Sequence, residues 1–184
     1  PKYMEFGAVE APVFNTEIQA VIDNYIFEDI EATGLTKRNG MPIKKGILLE
    51  GPPGVGKTLL AHTLARKCQE NGWTFCYLRD VKDLAGAVGL VRGRWEPTMI
   101  FAEDIDRVVG KDRTDAVNDV LNIIDGVDAK LSDIVVLVTT NEIDVIHKAM
   151  LRPGRLDVLI SVTAPDASTV ESLIRREAGA GLSM

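Results

Sequence analysis

Cysteine and histidine are scarce in this chain, with two of each among 184 residues. Cys68 and Cys76 are too far apart for a CxxC pair, and neither has a His or Cys beside it, which excludes a cysteine-ligated metal site. They read as a helix-surface thiol and a strand thiol in a reducing compartment, so the expected location is cytoplasmic. His62 and His147 do not make a metal site either. No apolar run is long enough to span a bilayer, and no signal-peptide pattern occurs. The chain begins at Pro1 rather than Met, which reads as an excised fragment of a longer parent. Large basic clusters are also missing: 21 Lys and Arg stand against 27 Asp and Glu, a net charge of −6. The pairs Lys44/Lys45 and Arg92/Arg94 read as solvated surface, so no nucleic-acid partner is expected. Internal repeats and low-complexity tracts are absent.

The hydrophobic content, 46%, is enough to bury the core of one domain. Five short apolar runs look like buried parallel strands: 46–50 (GILLE), 74–78 (TFCYL), 98–102 (TMIFA), 134–139 (IVVLVT) and 158–162 (VLISV). They lack strict polar alternation, as expected of a sheet covered on both faces. Helical patterns lie between them. Residues 58–71 follow the first strand and stop at Gly72. Residues 83–95 form a second pattern, with Asp83 as N-cap and Leu84, Val88, Val91 and Trp95 on one face bound for the core. Gly86, Gly89 and Gly93 weaken that helix, each by up to about 1 kcal/mol relative to Ala. Further helices are expected over 114–124, over 168–178 and, amphipathic, over 16–30. Strand alternating with helix predicts an α/β fold, a three-layer sandwich around a five-stranded parallel sheet. The expected division is a segment 1–44 packing on the core, the α/β core 45–165, and 166–184 as the start of something further.

Gly51-Pro52-Pro53-Gly54-Val55-Gly56-Lys57-Thr58 matches G-x-x-x-x-G-K-[ST] in full, with a buried strand before it and a helix after it. Glycines let backbone N–H groups converge on phosphate oxygens without a Cβ in the way. The helix that follows, from Leu59 onward, points its positive end at the same anion. Lys57 is expected to reach the β and γ phosphates of ATP, and Thr58 to offer its hydroxyl to Mg²⁺. Hydrolysis also needs an acid near the metal and a base that aligns water. The third strand runs into Glu103-Asp104, beside this loop, and supplies both.

At this point the sequence resembles the AAA+ ATPases. In that family the strand usually ends Asp-Glu; here the order is reversed. The resemblance assigns Glu103 to the metal and Asp104 to the attacking water, each with its reach changed by one methylene. The fourth strand runs into Thr139-Thr140-Asn141, and Asn141 matches the family's water-positioning sensor. Leu151-Arg152-Pro153-Gly154-Arg155-Leu156-Asp157 is similar to the LRPGRxD signature of the AAA branch. There both arginines act on the ATP of a neighbouring subunit, which implies that Arg152 and Arg155 work in trans within a ring, typically a hexamer. Residues 122–126 (NIIDG) resemble the end of the helix before the sensor strand.

Three departures qualify the resemblance. Members that thread polypeptide carry an aromatic–hydrophobic–Gly loop after the second strand. Here the connection 79–97 has Trp95 as its sole aromatic, and only Ala85-Gly86 or Val88-Gly89 could stand in. The family's helical lid stops after what looks like its first helix, which implies weak nucleotide affinity and a monomer for this fragment. No family signature for holding adenine precedes residue 16; the backbone near 14–17 is the candidate. The functional expectation is an Mg²⁺-dependent ATPase that remodels a macromolecule. The alternative is a nucleotide-dependent scaffold with negligible turnover. A DNA-loading type is disfavoured by the charge and the LRPGRxD signature.

Overall fold

The computed structural model describes residues 10–33, 43–105, 122–124, 133–142 and 156–181. Five strands form one parallel sheet: β1 (Lys45–Glu50), β2 (Thr74–Leu78), β3 (Thr98–Ala102), β4 (Ile134–Thr140) and β5 (Val158–Ser161), in the order β2-β3-β4-β1-β5. The expected bounds of β2 and β3 match to the residue. β3 is not the neighbour of β1, because β4 lies between them. The acids that follow β3 therefore reach the phosphate loop by side chain, past the end of β4.

Two apolar layers explain the non-alternating strands. On one face Ile47, Leu49, Met99, Phe101, Val135 and Leu137 pack with Leu60, Leu64 and Cys68 of α3 (Lys57–Glu70). Ile22, Ile26 and Ile30, from a helical run that starts as α1 (Thr16–Ile22) and ends as α2 (Glu28–Glu31), join the same layer. On the other face Leu48, Ile100, Ala102, Val136 and Val138 pack with Leu84, Val88 and Val91 of α4 (Leu84–Val91). Inward and outward positions of the three central strands β3, β4 and β1 are thus both buried, as the period-two geometry of a strand between two layers requires, while the edge strands β2 and β5 are only partly covered.

α3 stops where expected. Gly72 takes φ 72°, and the N–H of Trp73 returns to the carbonyl of Cys68 at 2.8 Å. Cys68 corrects the surface expectation: it is fully buried, and burial pushes its thiol up to about 12. The pattern over 83–95 is also shorter than expected. Its start is a 3₁₀ turn, Val81–Asp83, whose N–H of Lys82 donates to the carboxylate of Asp80, while Asp83 makes no cap bond. The helix ends at Val91, and Gly93 turns the chain at φ 69°. Trp95 lies beyond that turn and is 56% exposed, so it is not the core residue its spacing suggested. Ala85-Gly86 and Val88-Gly89 lie inside α4 and form no loop. The helix expected over 114–124 is described only at 122–124, which are helical; Ile124 is buried there.

The last helix, α5 (Ala167–Gly181), is capped by Asp166, whose carboxylate accepts from the N–H of Thr169 and the hydroxyl of Ser168, both at 2.8 Å. The Thr169 bond, first, holds the Asp166 carboxyl below its ordinary value of 3.8. A carboxyl lowered by folding stabilises the fold above that ordinary value and stops doing so as pH falls through its folded value. Asp166→Asn should therefore lower the thermal midpoint at neutral pH, and the gap to the parent chain should close as pH drops below 3.8. Among the described residues no helix is long and apolar enough to cross a membrane.

Candidate nucleotide site

The carboxyl ends of β1, β3 and β4 deliver three short segments to one edge of the sheet, the usual ligand edge of an open α/β sheet. From β1 the chain enters the phosphate loop. Gly51, Gly54 and Gly56 all take positive φ, at 154°, 85° and 100°. A Cβ on Gly51 would stand 2.1 Å from the carbonyl oxygen of Val162, so that position admits only glycine. Gly56 is the N-cap of α3, with no side chain to compete for the first free N–H groups of the helix. Pro52, Pro53, Gly54 and Thr58 are exposed, Val55 and Leu59 half-buried.

Lys57 is buried, yet its ammonium has acceptors all round: the carbonyls of Gly51 (2.6 Å) and Pro52 (2.9 Å) and Oδ1 of Asn141 (2.9 Å). Nδ2 of Asn141 donates to Oδ1 of Asp104 at 3.0 Å. Asp104 itself sits at φ 49°, a conformation uncommon for a residue with a side chain, and its N–H donates to Oγ1 of Thr139 at 3.0 Å. Local strain of this kind gathers at sites where a side chain must be aimed. One chain of contacts therefore joins loop lysine, sensor-position amide and second acid.

The first acid closes a parallel contact. The hydroxyl of Thr58 donates to Oε1 of Glu103 at 2.5 Å. Tyr77 on β2 lies within electrostatic reach of Glu103, its ring stacked on Phe101 with centroids 6.0 Å apart. Burial first, and then the nearby Glu103 carboxylate, push the Tyr77 phenol up to about 12, so it stays protonated at neutral pH. Thr58 and Glu103 together present hard oxygen donors, the set that suits Mg²⁺ beside phosphate. The reversed acidic pair thus keeps both carboxylates at the loop, and the longer Glu103 spans the gap left by the intervening strand. Arg152 and Arg155 lie outside the described residues.

Beside the loop opens a cavity of about 160 Å³. Its walls are Pro12, Val13, Phe14 and Asn15 on one side, Gly54 to Gly56 with Leu59 on the second, and Thr163, Pro165, Leu173 and Arg176 on the third. The candidate backbone near 14–17 reaches it through Phe14 and Asn15, and Pro12 and Val13 extend it. Sequence reasoning missed Tyr77, Thr139 and Arg176, and named Asn15 only as part of the backbone stretch 14–17, not for its side chain. Tyr77 is one aromatic in an apolar run and carries no local signal. Thr139 could have been found from its place two residues before Asn141.

The model of the ATPase family associated with various cellular activities (AAA) matches residues 47–164. A putative cell division cycle ATPase of Plasmodium falciparum is 33% identical over 181 aligned residues, covering 86% of this chain and 14% of that protein. A proteasome-activating nucleotidase of Methanocaldococcus jannaschii is 33% identical, covering 90% of this chain and 41% of that protein. An AAA ATPase forming ring-shaped complexes, from Bifidobacterium animalis subsp. lactis, is 34% identical, covering 77% and 32%. The chain thus spans less than half the length of each of these relatives. With five parallel strands, a complete phosphate loop and a match across its whole core, this chain belongs to the AAA family of ATPases.

Proposed function

We propose that this chain is the ATP-binding and ATP-hydrolysing core of an Mg²⁺-dependent ring ATPase that remodels a macromolecule. The observation that carries the reading is the continuous contact Lys57–Asn141–Asp104 beside Thr58–Glu103. Lys57 and the N–H groups of Gly54 to Leu59 hold the phosphates. Thr58 and Glu103 hold the metal. Mg²⁺, when bound, neutralises charge on the β and γ oxygens. Asp104 accepts a proton from the attacking water, and Asn141 orients both the acid and that water. The cavity at Phe14 and Leu59 takes the base against apolar walls. Arg152 and Arg155 act from a neighbouring subunit in a homo-oligomeric ring. Residues 166–184 begin a helical lid, 1–44 pack on the core, and the protein works in the cytoplasm.

Steady-state phosphate release by the full-length protein tests this. The expected result is Mg²⁺-dependent turnover that rises more steeply than protein concentration, because arginines supplied in trans require assembly. The competing scaffold reading is favoured by one observation, the commitment of an Asp104 oxygen to Asn141. Tight ATP-dependent assembly with no measurable release would select it.

A further inference from the structure

Asparagine is a preferred helix N-cap because its side chain can accept from the free N–H groups of the first turn. Asn15 holds the N-cap of α1, and its carbonyl accepts from the N–H of Gln19 at 2.9 Å, yet its side chain makes no cap bond. The amide instead crosses to the segment between β5 and α5. Nδ2 donates to Oγ1 of Thr163 and to the carbonyl of Ala164, each at 3.3 Å. Oδ1 accepts from the N–H of Asp166 at 2.9 Å and from Oγ1 of Thr169 at 3.1 Å. Two donors and two acceptor positions are all an amide has, and here all four are used. A carboxylate at this position would set an oxygen against the Ala164 carbonyl. A leucine would leave the Asp166 N–H and the Thr169 hydroxyl without this partner.

A second fastening joins the same two pieces of chain. Nη1 of Arg176 donates to the carbonyl of Ala11 at 2.9 Å, and Nη2 stands 3.2 Å from Glu10. Both fastenings connect residues 10–15 to the stretch 163–176, and both pieces of chain line the cavity beside the phosphate loop. A residue that abandons its local role for bonds to a wall 148 to 154 positions away is a sign of a site rather than of helix stability.

We infer that Asn15 is the latch of this cavity, a positioning residue that, with Arg176, holds the outer wall closed on a nucleotide base and sets how fast the nucleotide leaves. The inference rests on the proposed reading that the base occupies this cavity. Asn15 touches no phosphate-loop group in any of its four bonds, so its effect falls on the base and not on the triphosphate.

The test uses the full-length protein, stopped-flow dissociation of a fluorescent ADP, and equilibrium binding of ATP and of inorganic tripolyphosphate. Asn15→Leu should release ADP about tenfold faster, the consequence of losing all four bonds that tie the two stretches together. Association should be nearly unchanged, and tripolyphosphate should bind both proteins alike. Thr169→Val removes one bond of the four and keeps the test usable if Asn15→Leu folds poorly. It should speed release about two- to threefold, and add nothing once Asn15 is replaced. Unchanged release in either folded variant overturns the latch. So does an equal loss of tripolyphosphate and ATP binding, which would make Asn15 a support of the loop. If the parent protein binds ATP no more tightly than tripolyphosphate, the base-cavity reading fails and the latch fails with it.

Discussion

Replacing Asp104 with Asn should lower ATP turnover about 10³-fold, the range expected for loss of a positioned general base, and leave nucleotide affinity nearly unchanged. The side chain is not placed by chance. Three separate devices aim it: the backbone at φ 49°, the Asp104 N–H bond to Thr139, and the Asn141 amide on Oδ1. Asn keeps the shape and tolerates the same backbone conformation, so the variant should fold and bind. What it loses is the capacity to take a proton. Asp104→Glu supplies the contrast, since it keeps the carboxylate and restores the reach usual in the family. Its turnover should stay within about tenfold of the parent, less than the loss of a general base. Phosphate release by both variants, with fluorescent-ADP titration beside it, separates charge from shape. Unchanged release by Asp104→Asn would remove Asp104 from the mechanism.

Much of this site could be read before the fold because its signals are local. The phosphate loop is a run of eight residues, and its chemistry depends on backbone freedom and one lysine, both written in sequence. The strands could be read because two covering layers force nearly continuous apolar runs, and in β2 and β3 only the opening Thr74 and Thr98, together with Tyr77, interrupt them. Periodicity failed at Trp95 for a physical reason. It states which residues a helix would bury if it continued, not whether it continues, and this one ends at Val91, with Gly93 turning the chain before Trp95. Cys68 is a different kind of miss. It stands four and eight residues beyond Leu64 and Leu60, on their stripe, so the signal for burial was present and its small size hid it. The side-chain contacts of Asn15 and Tyr77 were beyond reach. Glu103 lies on the neighbouring strand's exit and the Asn15 partners at the far end of the chain, and no local rule predicts which distant group a side chain will find.

Gly51→Ala should be the most damaging glycine-to-alanine change among the described residues, and Gly54→Ala, three residues on, should cost the fold clearly less. The difference comes from what surrounds each glycine. Around Gly51 the backbone is fixed on both sides: its N–H donates to the carbonyl of Thr140 at 3.2 Å, and the N–H of Val162 donates to the carbonyl of Glu50 at 2.8 Å. A Cβ there meets the Val162 carbonyl oxygen at 2.1 Å and its carbon at 3.1 Å. Main chain cannot swing aside as a side chain would, so β1 and β5 must part. The expected loss is about 3 kcal/mol or more, a fall of roughly 6–12 °C in thermal midpoint for a chain of this size. Around Gly54 no atom lies within 4 Å of a built Cβ, and only φ 85° opposes the change. That strain costs about 1–2 kcal/mol. Gly54 lines the cavity proposed for the base, however, so added bulk there is expected to crowd the ligand. Gly54→Ala should therefore stay folded and bind ATP at least about tenfold more weakly, while Gly51→Ala should lose the fold first. Thermal melts with and without Mg²⁺-ATP measure both quantities together. Equal midpoints for the two variants would refute the steric account, because the contact at Val162 is what sets them apart.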